Sequence, residues 1–177
     1  MKKKAQNNLY LTGFMGCGKS TVGRVLAQRM RRPFLDTDGM IEQATGASVG
    51  DLFRTRGQAA FRAWESLIVE QVARQRGCVV ALGGGALLAP INVARVVRSG
   101  VMVHLRASTP TLLERLSVDA RPLLQDCPVA ELPARLEQLR AEREPGYNLA
   151  IIAVCTDHRS VEQVADEILR EVLGCDA

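Results

Sequence analysis

No CxxC pair occurs among the five cysteines Cys17, Cys78, Cys127, Cys155 and Cys175. That absence excludes a zinc knuckle and a thioredoxin-type redox site. An odd number of widely spaced thiols points to a reducing compartment. Cys78 and Cys155 lie in apolar runs and read as small core residues. Nor does any stretch approach the roughly 18 to 20 consecutive apolar residues of a membrane span. The basic start Met1-Lys2-Lys3-Lys4 is followed by an apolar run that meets glycine at Gly13, too short for a secretory signal. A strong charge imbalance is missing as well. The 23 basic and 19 acidic residues give a net charge of +4, too small and scattered to argue for nucleic acid, though compatible with handling small anions. Internal repeats, low-complexity tracts and linkers are absent. One domain over residues 1–177 is therefore expected, in a soluble, cytoplasmic protein.

What is present is an alternation of short apolar runs with helical patterns. Asn8–Thr12, Pro33–Asp36, Cys78–Leu82, Val101–Leu105 and Ile151–Cys155 read as five strands. Their side chains are almost continuously apolar, as in a parallel sheet covered on both faces. Between them, Val22, Val25, Leu26 and Met30 recur at three- and four-residue spacing, as do Trp64, Leu67, Ile68 and Val72. Leu132, Leu136 and Leu139 mark a third helix, and Ser160 caps a fourth carrying Val161, Val164, Ile168 and Val172. This is the pattern of a doubly wound α/β fold. Residues from Ser117 to Pro128 lack periodicity and read as a loop of the kind that closes over an active site.

The strongest chemical signal is Gly13-Phe14-Met15-Gly16-Cys17-Gly18-Lys19-Ser20, an uninterrupted G-x-x-x-x-G-K-[ST] between an apolar strand and an amphipathic helix. Glycines let backbone N–H groups curl around phosphate oxygens, and the helix N-terminus adds partial positive charge. Lys19 is expected to reach the β- and γ-phosphates and Ser20 to ligate Mg²⁺. This pattern establishes nucleotide phosphate binding, not the identity of an acceptor.

Several other groups are candidates for the acceptor side. Asp36 and Asp38 follow the second strand; spaced by two, both carboxylates would project from its carboxyl end. One would face the metal and its waters, the other an acceptor hydroxyl whose proton it could take. Asp38 could instead simply cap the next helix. Arg62 and Glu65 are three apart on a helix, either a solvated pair or a carboxylate presenting a guanidinium fork to an anionic ligand. Gly83-Gly84-Gly85 follows the third strand, suited to close approach of a ligand or to a turn. Arg121 sits in the aperiodic loop, where it could stabilise a transferring phosphoryl group. Arg143 ends a helix and could be no more than a favourable charge there.

Taken in order, GFMGCGKST, LDTD, FRxxE, LGGGA, RPLL and REPGY resemble the motifs of the shikimate kinases, over nearly the whole chain from Leu9 to about Leu173. The resemblance implies a three-layer P-loop kinase fold: a five-stranded parallel sheet of order 2-3-1-4-5 flanked by helices, with a lid at about residues 114–127. It implies ATP and Mg²⁺, with Gly13, Met15, Gly16, Cys17, Gly18, Lys19, Ser20, Thr21 and Arg121 around the nucleotide, and Ser20 and Asp36 on the metal. Lys19, Asp38 and Arg121 take the catalytic positions. Asp38, Arg62, Gly83, Gly84, Gly85 and Arg143 take those that hold shikimate, both arginines on its carboxylate. A monomer with no nucleic-acid or membrane partner is implied. The chain departs from the pattern at two places. Glu114 stands where an adenine-stacking arginine is usual, with Arg115 next to it; Cys17 stands where alanine or serine is usual and is expected to contribute only its backbone N–H, though oxidation there could crowd the phosphate site. No acidic residue ends the third strand, which leaves Asp36 as the second metal ligand. A gluconate-type kinase shares the P-loop but not both arginine motifs. A nucleotide switch would need an NKxD motif, which is absent. A scaffold without catalysis would not need Lys19, Asp36, Asp38 and Arg121 together.

Overall fold

The computed structural model describes residues 7–116, 124 and 127–174. Five strands, β1 (Asn8–Thr12), β2 (Phe34–Asp36), β3 (Val79–Ala81), β4 (Gly100–Arg106) and β5 (Ile152–Cys155), form one sheet in the order β2-β3-β1-β4-β5. Every pairing is parallel. The helices are α1 (Lys19–Met30), α2 (Thr37–Thr45), α3 (Val49–Ala73), α4 (Pro90–Ser99), α5 (Thr109–Arg115), α6 (Leu132–Tyr147) and α7 (Val161–Gly174).

Alternation along β1 sorts the layers. Leu11 points at α1, close to Gly23, whereas Tyr10 points the other way and shares a 2.6 Å hydrogen bond with Ser99 at the end of α4. Helices α1 and α7 pack together on the first face, α3 and α4 on the second. The central strands are buried throughout: Leu9, Tyr10, Leu11, Val79, Val80 and Val103 are each at most 1% exposed. Burying each large apolar side chain contributes about 1.5–3 kcal/mol, and this defines the register. Asn8 is buried in β1 because its polar atoms are satisfied: Nδ2 donates to Tyr10 and to the carbonyls of Val72 and Gln75, and Oδ1 accepts from Cys78 N.

The edge strand behaves differently from its apolar sequence. In β5, Ile152 and Val154 are buried but Ala153 and Cys155 are exposed, so this strand is covered on one face only. Cys155 is therefore not a core residue, whereas Cys78 is. Leu67 is also exposed, at 54%.

Among the helices, α7 starts as its sequence indicates. Ser160 Oγ accepts from Gln163 N, and Gln163 Oε1 accepts from Ser160 N, a reciprocal cap. Helix α3 begins well before the periodic stretch around Trp64 and consists of two helical segments that meet at a kink, where Gly57 takes the non-helical φ 76°, ψ 170°. That break in periodicity hides the first half from a sequence reading. Helix α5 runs to Arg115, so Glu114 and Arg115 are helical and not part of a loop. Ser117–Arg121 and the rest of 117–123 lie outside the described residues. No helix among the described residues is long and apolar enough to cross a membrane.

Candidate active site

Parallel pairing brings all the strand carboxyl ends to one edge, and that edge collects the chemistry. The loop after β1 leads into α1 with Gly13, Gly16 and Gly18 at φ 137°, 81° and 96°, values that side-chain-bearing residues avoid. At Gly13 a Cβ would lie 2.3 Å from the Leu105 carbonyl oxygen of β4, so the loop is pressed onto the sheet. Lys19 Nζ donates to the Gly13 and Phe14 carbonyls at 2.8 and 2.9 Å, which holds the ammonium along the loop. The Cys17 side chain is fully buried, with Sγ 3.0 Å from where a Gly13 Cβ would lie. A sealed thiol is a poor oxidation target, so the loop uses this residue for its backbone.

Asp36 closes β2 and caps α2: its Oδ1 accepts from Asp38 N at 3.2 Å. The cap is Asp36, not Asp38. Because β2 ends at Asp36, Asp38 belongs to the first turn of α2, and strand alternation is not what aligns the two carboxylates. They nevertheless line the same cleft. Ser20 Oγ donates to Asp36 Oδ2 at 2.6 Å, joining the first turn of α1 to the end of β2. A neighbouring hydroxyl and carboxylate are hard oxygen donors of the kind Mg²⁺ takes when phosphate and water complete its shell. No cluster of three or more His, Cys, Asp or Glu that could hold a metal ion occurs among the described residues.

The cleft over the loop has a volume of about 520 Å³ and runs from Met15, Lys19, Ser20 and Thr21 past Asp36 and Asp38 to Arg115, Thr156 and Arg159. Arg115, not Glu114, faces it; its guanidinium donates to Thr156 Oγ1 at 3.0 Å and to the Thr156 carbonyl at 2.9 Å.

A second, smaller cavity of about 70 Å³ opens beside it, and Met15, Asp38 and Gly84 line both. Its other walls are Val49, Phe53, Phe61, Arg62, Glu65, Gly85 and Arg143. Val49 and Phe53 precede the Gly57 kink of α3, while Phe61, Arg62 and Glu65 follow it. Arg62 Nη1 donates to Glu65 Oε2 at 2.6 Å, with Glu65 only 1% exposed. This is a buried pair, not a solvated one. Burial raises the Glu65 pKa above the ordinary 4.5; Arg62 pulls it down and the Asp38 charge pushes it up. Arg143 is 5% exposed, so it is no surface helix charge; its guanidinium carbon lies 5.1 Å from the centroid of the Phe14 ring. Glu65 Oε1 and Arg143 Nε are buried with no hydrogen-bond partner among the described residues.

The glycine run explains itself by close approach. A Cβ on Gly83 would lie 2.6 Å from Asp38 Oδ1, and one on Gly85 2.5 Å from both terminal nitrogens of Arg62. Gly84 would meet Arg143 Nη1 at 3.4 Å. Thr37 fixes the run from behind, its Oγ1 accepting from Gly83 N at 2.8 Å. Thr37, Phe14, Phe53 and Tyr147 belong to this arrangement as well, and none of them was given a role from sequence. Phe14, Thr37 and Tyr147 stand inside the GFMGCGKST, LDTD and REPGY motifs, whereas Phe53 has no motif around it.

Of the site residues expected from sequence, Gly13 and Gly83 line neither of the two joined cavities, and the others apart from Arg121 each line one or both. Arg121 lies outside the described residues. The fold and this pair of cavities define a P-loop small-molecule kinase. Among known proteins, the sequence model of shikimate kinase matches residues 15–173. A shikimate kinase of Geobacter metallireducens is 41% identical over 162 residues, covering 91% of this chain and 89% of that one. The structure of shikimate kinase from Acinetobacter baumannii in complex with shikimate is 34% identical, with a TM-score of 0.90 over 97% of this chain and 95% of the other. The chain belongs to the shikimate kinase family. A gluconokinase from Sinorhizobium meliloti 1021, at 19% identity and TM-score 0.60 over 98% of this chain and 95% of its own, shares the fold alone.

Proposed function

We propose that the protein transfers the γ-phosphoryl group of ATP to the 3-hydroxyl of shikimate, with ATP along the Gly13–Thr21 cleft and the acid in the Arg62–Arg143 cavity. The observation that carries this is the junction of the two cavities at Asp38 and Gly84, with both arginines on the acceptor side. A carboxylate between two guanidiniums is held by charge-assisted hydrogen bonds, and that anchoring selects which ring hydroxyl reaches the phosphorus. In the reaction the acceptor oxygen forms a bond to the γ-phosphorus and the bond to the ADP oxygen breaks. The hydroxyl proton passes to the Asp38 carboxylate. Lys19 and the loop N–H groups offset charge on the phosphate oxygens, and Arg121 joins them when the lid, which starts after α5 and runs to about residue 127, closes and excludes water. Gly83, Gly84 and Gly85 let the acid lie against backbone.

Ser20 and Asp36 would hold Mg²⁺. When bound, the ion neutralises phosphate charge as it develops. The working unit in this reading is one chain, residues 1–177 acting as a single domain in the cytoplasm, since one chain supplies every wall of both cavities. ATP, Mg²⁺ and shikimate are then sufficient partners, with no membrane or nucleic acid required. The test is a coupled assay with ATP and Mg²⁺ over a panel of hydroxy acids, run on protein whose mass is measured by light scattering. Turnover of shikimate and not gluconate by a monomer is expected. Equal turnover of both acids would overturn the acceptor assignment.

A further inference from the structure

Tyr147 stands outside both cavities and belongs to no step of the reaction, yet it is one of the largest fully buried side chains. Its hydroxyl donates to the Gly84 carbonyl. Burial pushes the phenol well above its ordinary pKa of 10, so at any working pH the group is a neutral donor. His104 of β4 backs the ring at 4.9 Å between centroids.

The bond joins two parts of the acceptor site that are 63 residues apart. Arg143 and Tyr147 are four residues apart on α6 and so share one face. Together they grip Gly84 from two directions: the phenol takes its carbonyl, and Arg143 Nη1 rests 3.4 Å from its Cβ direction. Between them Gly146 packs so tightly on the following turn that a Cβ there would meet Leu87 Cβ at 2.8 Å. Arg143 has a buried Nε without a partner among the described residues; its guanidinium rests against the Phe14 ring and within hydrogen-bonding reach of the Tyr147 hydroxyl.

We propose that Tyr147 is a positioning residue for the acceptor: its hydrogen bond to the Gly84 carbonyl locks the Arg143 turn to the glycine run. With the lock in place, the guanidinium and the bare backbone face the bound acid at a set separation. This inference rests on the assignment of the acid to the Arg62–Arg143 cavity.

The test compares Tyr147→Phe with Tyr10→Phe. Tyr10 is an equally buried phenol on the same face of the sheet, hydrogen-bonded to Ser99 and Asn8 and remote from both cavities. Tyr10→Phe removes the hydroxyl's contacts to both Ser99 and Asn8, so its drop in Tm should be at least as large as that of Tyr147→Phe. Only Tyr147→Phe should raise the shikimate KM, by about fivefold, with the ATP KM unchanged. Gly146→Ala disturbs the same turn without touching the phenol and should shift the shikimate KM in the same direction. It also serves as the test if Tyr147→Phe does not fold. A shikimate KM within twofold of wild type in the folded variants would overturn the proposal and leave Tyr147 a packing residue. Arg62→Ala run alongside separates the two levels. If it too leaves the shikimate KM unchanged, the acceptor cavity itself is misassigned.

Discussion

The nucleotide half of the site and its acceptor half are built on different principles. The first is contiguous: nine residues from Gly13 to Thr21 make the loop and the first turn of α1, and their backbone carries the binding capacity. The second is assembled from the end of β2, the kinked α3, the run after β3 and the last turns of α6. Its specificity rests on buried side-chain charges. A local backbone device tolerates variation such as Cys17, whose thiol is turned inward. An assembled one depends on every element that carries a charge, down to the turn that holds Arg143. In the proposed reading, phosphate recognition is therefore robust and general, while acid recognition is particular to this packing.

The comparison can be broken by substitutions on either side. Lys19→Ala should have the largest effect, lowering kcat about 100- to 1000-fold in a steady-state assay, because it removes a positioned cation from the transferring phosphate. Asp38→Asn, where the halves meet, should lower kcat by about 100-fold with little change in either KM. Its neighbour Asp36→Asn keeps the cap of α2, since asparagine caps as well, and should mainly raise the Mg²⁺ concentration needed for half-maximal rate. Equal losses in both, independent of Mg²⁺, would collapse the division of labour between them.

Arg62→Ala should raise the shikimate KM about 10- to 100-fold and leave the ATP KM near wild type, since a charged hydrogen bond contributes about 1.5–3 kcal/mol. A rise in both would mean that the halves are not energetically separate.

The smallest effect on turnover at neutral pH is expected from titration behind the two halves, and here the signs oppose. Burial holds the Glu65 pKa above 4.5, so the folded state binds its proton more tightly than the unfolded chain. Stability from this group declines as pH rises above that value. His104 has its pKa pushed from 6.5 down to about 4 by burial and by the Arg106, Lys19 and Arg140 charges. The unfolded chain then takes up the proton first, and stability falls as pH drops from 6.5 towards 4, by roughly 3 kcal/mol. Urea unfolding across pH should show the acid decline flattened in His104→Phe and the decline above pH 4.5 flattened in Glu65→Gln.

The strands and the phosphate loop were legible in sequence because each is a local pattern: an apolar run, or eight residues from Gly13 to Ser20 with fixed spacing. The aligned carboxylates of Asp36 and Asp38 were legible too, though for a reason that does not hold, since a helix cap and not strand alternation sets them. Cys155 was misplaced because an apolar edge strand looks the same as a central one until its neighbours are known. The first half of α3 was hidden by Gly57, whose non-helical φ of 76° splits α3 into two segments that meet at a kink.

The sequence by itself determined the parallel sheet, the P-loop and, through six ordered motifs, the family. These depend on periodicity and backbone conformation, which act over a few residues. Only the tertiary structure decided that Arg62 pairs with a buried Glu65, that Arg143 lies under Phe14 and against Gly84, and that Tyr147 ties that turn to the glycine run. Burial sets the strength of those interactions, and burial is a property of the packed chain and not of any segment of it.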